Sequence, residues 1–332
     1  MITVSIICPI YNEERFIEEC LWSILAQDLP SQQWELLLVD GMSTDQTRAL
    51  VQPYLDRYDN IRLLENPHRT APYAMNIGIR AAKGEYICRI DAHSAFPTHY
   101  VSTLLRYTKE LPDASNVGGV CETLPANDSL KAKAIAIACS HPLGVGNSTF
   151  RTATVEQPIL ADTVPFGFWR KSLFDEVGLF DEEMTRNQDD EFNARIIQHG
   201  GKIYLVPGIS TTYYARDTIA KTWKMFYQYG LFKPLVNKKV KHPATIRQFI
   251  PLAFVLGIIL GLPLACLNAV FAWMYIAALA LYLMLTCGIA VRYKNQYLPI
   301  VFACIHFSYG WGYIRGILKL LTNHSFNVQY NR

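Results

Sequence analysis

The sequence of 332 residues predicts an α/β domain, a mostly parallel sheet with helices on both faces, joined to C-terminal transmembrane helices. Three observations carry that prediction. Short β-branched runs alternate with helix-spaced segments from the start to about residue 120, the pattern of right-handed βαβ units. Gln248 to Val291 holds no charged side chain over 44 residues. A bilayer needs roughly 20 apolar residues per helical span. Charge is divided too. Up to Asp217 there are 19 Lys and Arg against 28 Asp and Glu, and beyond it 12 basic residues and no acidic one. An apolar content of 51% with 18% charged residues excludes a disordered or collagen-like chain.

The elements follow in order. Residues 2–8 are a β-branched strand. Residues 12–27 carry Phe16, Cys20 and Ile24 at helical spacing. Residues 34–39 are a second strand, apolar enough for burial on both faces. Residues 44–58 form a helix with Ser43 or Thr44 as its cap. A strand at 61–64 precedes a helix at 71–82, opened by Pro72 and stopped at Lys83-Gly84. A strand at 86–90 completes the alternation. Further along, Gly144-Val145-Gly146-Asn147 reads as a flexible loop. Residues 190–199 read as a helix, with Phe192 and Ile196 on one face and Glu191 four before Arg195.

The uncharged tail accommodates two spans, about 249–267 and 270–291, with a turn near Asn268. Pro251 and Pro263 are costly in a soluble helix and better tolerated in a membrane. A third apolar stretch, 297–321, is interrupted by Arg315 and Lys319 and fits either a third span or an interfacial helix. Between 218 and 236, Trp223, Met225, Phe226, Tyr227, Tyr229 and Phe232 interleave with Lys221, Lys224 and Lys233, as in a helix lying among headgroups. The same composition can bind nucleic acid, but the acidic body and adjoining apolar tail argue against that partner. Basic residues precede the first span and follow the second, so both flanks and the N-terminal body are expected on the cytoplasmic side. Met1 leads directly into an apolar run, so no signal peptide is expected. The expected organisation is therefore an α/β domain at 1–215, a basic amphipathic interfacial segment at 216–247, two to three transmembrane helices at 248–321 and a short polar tail at 322–332. The eight Cys are scattered, without CxxC, and read as packing residues in a reducing compartment.

In parallel sheets ligands bind beyond the carboxyl ends of the strands. Here those positions hold Pro9-Ile10-Tyr11-Asn12-Glu13, Asp40-Gly41-Met42-Ser43-Thr44-Asp45 and Asp91-Ala92-His93. No GxGxxG follows the first strand, which argues against a dinucleotide oxidoreductase, and no GxxxxGK[ST] exists for a P-loop NTPase. These pieces, with Ala74-Met75-Asn76-Ile77-Gly78, Gly167-Phe168-Trp169-Arg170 and Gln188-Asp189-Asp190-Glu191-Phe192, resemble a family 2 glycosyltransferase of GT-A fold over about 1–215. Ile-Asp-Ala-His, Gln-Asp-Asp-Glu-Phe-Asn and the apolar tail are most similar to the succinoglycan-biosynthesis glucosyltransferase-like branch.

The resemblance implies an inverting transfer of glucose or another hexose from a UDP-sugar. It places nucleotide-sugar contacts at Pro9, Tyr11, Glu13, Asp40 and Asp91; from their own positions Asn12 is expected to meet polar groups of the nucleotide, Arg69 the nucleotide or diphosphate, and residues 144–147 are expected to close over the donor. It assigns a Mn²⁺ or Mg²⁺ ion to an Asp-x-Asp motif. Asp91 matches its first Asp, and His93 stands where the metal-binding Asp would be. Imidazole suits Mn²⁺ better than Mg²⁺, so the departure leaves the metal open. The general base falls on Asp189, with Asp190 as the runner-up; Gln188 replaces the family's Glu. The plain structural reading of Asp189 is a helix N-cap. Gly167 and Trp169 are assigned to the acceptor edge, where Trp169 either stacks on a sugar or belongs to the core.

A transferase held at the cytoplasmic membrane implies a membrane acceptor, a saccharide linked to polyprenyl diphosphate, in exopolysaccharide or cell-surface glycan synthesis. Alternatives are transfer to a polyprenyl phosphate, a processive synthase and a non-catalytic membrane scaffold. The tail is short for a secreting channel, and there is no Gln-x-x-Arg-Trp.

Overall fold

A computed structural model describes residues 2–146, 148–243 and 245–326. The chain divides into two compact units, 1–122 with 153–212 and 123–152 with 213–332. Residues 123–152, expected inside the α/β domain, thus group with the C-terminal helices. Divided this way the charge contrast sharpens: 15 basic against 26 acidic residues in the first unit, 16 against 2 in the second.

In the first unit, β1 (Val4–Ile10), β2 (Trp34–Asp40), β3 (Ile61–Glu65) and β4 (Tyr86–Arg89) alternate with α1 (Ile17–Leu25), α2 (Thr47–Arg57) and α3 (Ala71–Ala81). The ladders β3–β2, β2–β1 and β1–β4 are parallel. α4 (Tyr100–Glu110) and β5 (Ala114–Leu124) follow, the strand running into the second unit. After α5 (Leu130–Ser140), α6 (Pro142–Val145) and α7 (Thr149–Thr152), the chain returns through β6 (Ile159–Leu160), β7 (Phe168–Arg170), α8 (Leu173–Val177), α9 (Gln188–Gln198) and β8 (Lys202–Tyr214). The full order is β3-β2-β1-β4-β7-β5-β8-β6. Beyond β4 the pairing turns antiparallel, through β4–β7, β5–β7 and β6–β8, so the sheet is mixed. Every residue of β2 is buried, Glu35 and Asp40 with the apolar ones. Ile6, Leu36, Cys88, Phe168 and the α1 face of Ile17, Leu21 and Ile24 form the core.

In the second unit the helices are α10 (Ile219–Val240), α11 (Phe249–Ala265), α12 (Ala269–Arg292) and α13 (Leu298–Leu321). α11 and α12 match the two expected spans, and Asn268 caps α12 by accepting from Val270 N at 2.7 Å. Both are long and apolar enough to cross a membrane, and only 11% of each span is buried. That exposure excludes a buried soluble core as the reason for their apolarity. α13 is different. Phe302, Ile305 and Tyr313 are buried, and Gly312 lets it approach α10 so closely that an added Cβ would lie 2.2 Å from Tyr227 O. α10 correspondingly buries Phe226, Leu231 and Phe232 and exposes Lys221, Trp223 and Lys224. Residues 142–145 are a short helix rather than a loop, with Gly144 buried against Ala138 and Phe302. Asn147, assigned to the same loop, lies outside the described residues.

Candidate active site

The order β2-β1-β4 places the change of winding direction between β1 and β4, where such sheets bind ligands. The loops after β1 and β2 are tied to each other there. Asn12 N donates to Ser43 Oγ at 2.9 Å, Thr44 N donates to Asn12 Oδ1 at 2.8 Å, and Glu13 N donates to Thr47 Oγ1 at 2.8 Å. Asn12 takes a left-handed backbone, φ 54°, which delays α1 to Ile17. Pro9 and Tyr11 are partly exposed, Asn12 and Arg69 are exposed, and Glu13 is buried. Arg69 also has a left-handed backbone, φ 60°, and its Cα lies near Gly41.

Asp40, expected to accept from the uracil or ribose, already has partners within the protein. It is fully buried. Ser43 Oγ donates to its Oδ1 at 2.6 Å, Ser43 N reaches both oxygens at 3.1 and 3.2 Å, and Arg48 Nε pairs with Oδ2. In this arrangement Asp40 braces the β2–α2 loop. Ser43, expected to cap α2, serves Asp40 instead, and the helix starts at Thr47.

The centre of the site is Arg89, the last residue of β4, whose side chain is 7% exposed. Nε and Nη2 grip Asp91 Oδ1 and Oδ2 at 3.0 and 3.2 Å, while Nη1 donates to Asp189 Oδ1 at 2.5 Å. A buried guanidinium needs such partners. Asp91 and Asp189, far apart in the chain, are thereby brought onto one cation. Asp189 is the second residue of α9 and does not cap it; the N-cap is Asn187, with φ 58°. Burial raises the Asp189 carboxyl above its ordinary value, Arg89 pulls it down, and Asp91 and Asp190 push it further up. Glu191 and Arg195 pair across one helical turn at 2.5 and 2.9 Å, as their spacing predicts.

His93 Nδ1 stands 3.8 Å from Glu13 Oε1 and is partly exposed. Among the described residues no group of three His, Cys, Asp or Glu side chains could hold a metal ion. The two expected donors, Asp91 and His93, lie on the loop after β4. Two protein donors suit a divalent cation that arrives with phosphate oxygens, rather than one caged by the protein. Asp91 accepts two bonds from Arg89, one on each oxygen.

The acceptor edge is reassigned in part. Trp169 is 2% exposed and packs edge-on against Phe174, Phe180 and Phe192 at centroid distances of 5.8, 6.0 and 5.9 Å. A ring enclosed in this way belongs to the core and offers no face to a sugar. Gly167 has φ 81°, and an added Cβ would lie 2.1 Å from the Trp169 ring, so glycine is required. Two residues that the geometry adds, Arg48 paired with Asp40 and Arg89 with Asp91 and Asp189, belong to none of the motifs. A signal for Arg89 existed, since an Arg in a strand of otherwise buried residues must find anions; none marked Arg48.

A mixed sheet with carboxylates gathered beyond its parallel strands is an arrangement of GT-A type. The chain belongs to glycosyl transferase family 2, whose family model matches residues 5–178. A dolichyl N-acetyl-α-D-glucosaminyl phosphate 3-β-D-2,3-diacetamido-2,3-dideoxy-β-D-glucuronosyltransferase of Methanococcus voltae is 30% identical over 95% of this chain and 97% of its own. Succinoglycan biosynthesis protein ExoA of Rhizobium meliloti is 29% identical over 94% of both chains. The mannosyltransferase PcManGT of Pyrobaculum calidifontis, solved with GDP-mannose and Mn²⁺, shares the fold with a TM-score of 0.62 at 19% identity, over 96% of this chain and 87% of that one.

Proposed function

We propose that the protein is an inverting glycosyltransferase that moves a hexose from a UDP-sugar to a lipid-linked saccharide at the cytoplasmic face of the membrane, in exopolysaccharide or cell-surface glycan synthesis. The observation that carries this reading is Arg89, which joins Asp91 on the donor side to Asp189 on the acceptor side. Asp189 accepts the proton of the acceptor hydroxyl as that oxygen attacks the anomeric carbon, and the bond to UDP breaks on the opposite face. One displacement with one base inverts the anomeric carbon, so an α-linked donor gives a β-glycoside. Asp190 is the alternative base. Asp91 and His93 would hold a Mn²⁺ or Mg²⁺ ion, whose chemistry is to neutralise charge growing on the diphosphate. Pro9, Tyr11, Asn12 and Glu13 line the nucleotide side with Arg69, and Gly167 lies on the acceptor side. Asp40 contributes to nucleotide binding by holding its loop.

Acceptor and location rest on the second unit. Its exposed apolar helices α11 and α12 and its excess of basic residues suit a bilayer with an anionic inner face. The M. voltae relative is named for a sugar already carried on dolichyl phosphate. That name favours a lipid-linked saccharide over a bare polyprenyl phosphate as acceptor, and a polyprenyl diphosphate carrier is the form we expect. Incubating the full-length protein with UDP- and GDP-sugars and a membrane lipid extract, with and without Mn²⁺, tests the reading by product mass. The expected product is a lipid-linked saccharide one hexose heavier. UDP-sugar turnover that yields only a polyprenyl phosphate hexose, or no turnover at all, would contradict it.

A further inference from the structure

We infer that Arg89 is a positioning residue that yokes the donor-side carboxylate to the base, so that Asp91 and Asp189 act as one unit. The inference rests on the reading of Asp189 as the base. Its ground is geometric. Arg89 is nearly inaccessible, and three of its N–H groups are spent on two carboxylates, two of them on Asp91 and one on Asp189. Its backbone is fixed as well. The β4 register pairs Ile7 with Arg89, and Arg89 N donates to Gly167 O at 3.1 Å.

Both carboxylates are more open than the cation between them, at 20% for Asp91 and 41% for Asp189. Arg89 therefore lies deeper than the two acids, engaging both oxygens of Asp91 and one of Asp189. Among the described residues no hydrogen bond reaches Asp189 Oδ2. The guanidinium thus holds one oxygen of the base and leaves the other for a hydroxyl. A planar fork can do this in two directions at once, whereas an ammonium is a single point charge. A purely structural ion pair has no need to link these two acids and leave both accessible. The consequence is that the separation between donor and base is set by one side chain. A displacement of about 1 Å in such a constellation costs on the order of 100-fold in rate.

The test uses the full-length protein with UDP-glucose, or the donor selected by the panel above, and membrane lipid extract. Transfer to lipid and hydrolysis of the donor by water are measured separately, beside the affinity for UDP. Arg89→Met is expected to lower transfer about 100-fold and the transfer-to-hydrolysis ratio about tenfold, with UDP affinity within about threefold. Arg89→Lys is expected to fall between wild type and Arg89→Met in both readouts. A merely structural role would lower transfer and hydrolysis by the same factor, and that result overturns the inference, as does transfer within threefold of wild type. Should Arg89→Met fail to bind UDP, Arg89→Lys decides by the same ratio. Full transfer by Asp189→Asn would remove the base assignment and Arg89's role with it. An inert Asp189→Asn beside a fully active Arg89→Met would remove this inference alone.

Discussion

Replacing Arg48 by Ala isolates what holds Asp40. Three donors reach that buried carboxylate, two from Ser43 and one from Arg48. The substitution removes the only cation among them. Arg48 also meets Glu65 at 3.3 Å, but Glu65 is 65% exposed, and such a surface pair contributes about 0–1 kcal/mol. The Asp40 bond is charge-assisted, which is worth about 1.5–3 kcal/mol. Arg48 itself is 37% exposed, so water takes its place in part, and the lower end of that range applies. The sum is a loss of about 2 kcal/mol, or a melting midpoint lowered by about 4–8 °C in a unit of this size. The assay is thermal unfolding of the full-length protein, followed by titration with UDP in Mn²⁺. UDP affinity is expected to stay within about threefold, because Ser43 keeps the loop and Arg48 holds the brace, not the nucleotide. An unchanged midpoint would refute the brace. A tenfold weaker UDP affinity with an unchanged midpoint would make Arg48 a nucleotide contact instead.

Four further outcomes are expected. His93→Asp keeps activity and moves the cation preference toward Mg²⁺, measured by titrating both ions, whereas full activity of His93→Ala at limiting Mn²⁺ would exclude ligation. The raised Asp189 carboxyl puts the acid limb of the rate profile above the ordinary carboxylate value of about 3.9, because the base is lost as pH falls through it. Asp190→Asn removes one charge that raises it and should move that limb to lower pH while keeping turnover; a dead Asp190→Asn would transfer the base role to Asp190. Gly312→Ala sets a methyl 2.2 Å from Tyr227 O and should lower the unfolding midpoint through about 1–3 kcal/mol of overpacking between α10 and α13; an unchanged midpoint would mean that the two helices have room to separate.

What could be read from the residues alone follows from how local each signal is. The short apolar run at 34–39 reads as a strand, and 71–81 carries both a start, Pro72, and a stop, Lys83-Gly84. Both apolar spans were legible because a charge-free stretch of that length has few other uses. Helix starts were less legible. Residues 12–16 and 43–46 have helical spacing but are held by bonds between two loops some 30 residues apart, which periodicity does not register. Trp169 looks the same in sequence whether it stacks on a sugar or packs edge-on against Phe174 and Phe192; those neighbours come from α8 and α9. The carboxylates Asp91 and Asp189 were named by motif, but their connection through Arg89 is tertiary.

The most direct test of the central claim, that Asp189 works beside the Asp91 donor side as the base, is Asp189→Asn assayed for both transfer and UDP binding. The expected result is transfer lowered by about 10²–10⁴-fold with UDP affinity essentially retained. Transfer at the wild-type rate, or loss of UDP binding in proportion to the loss of transfer, would contradict it.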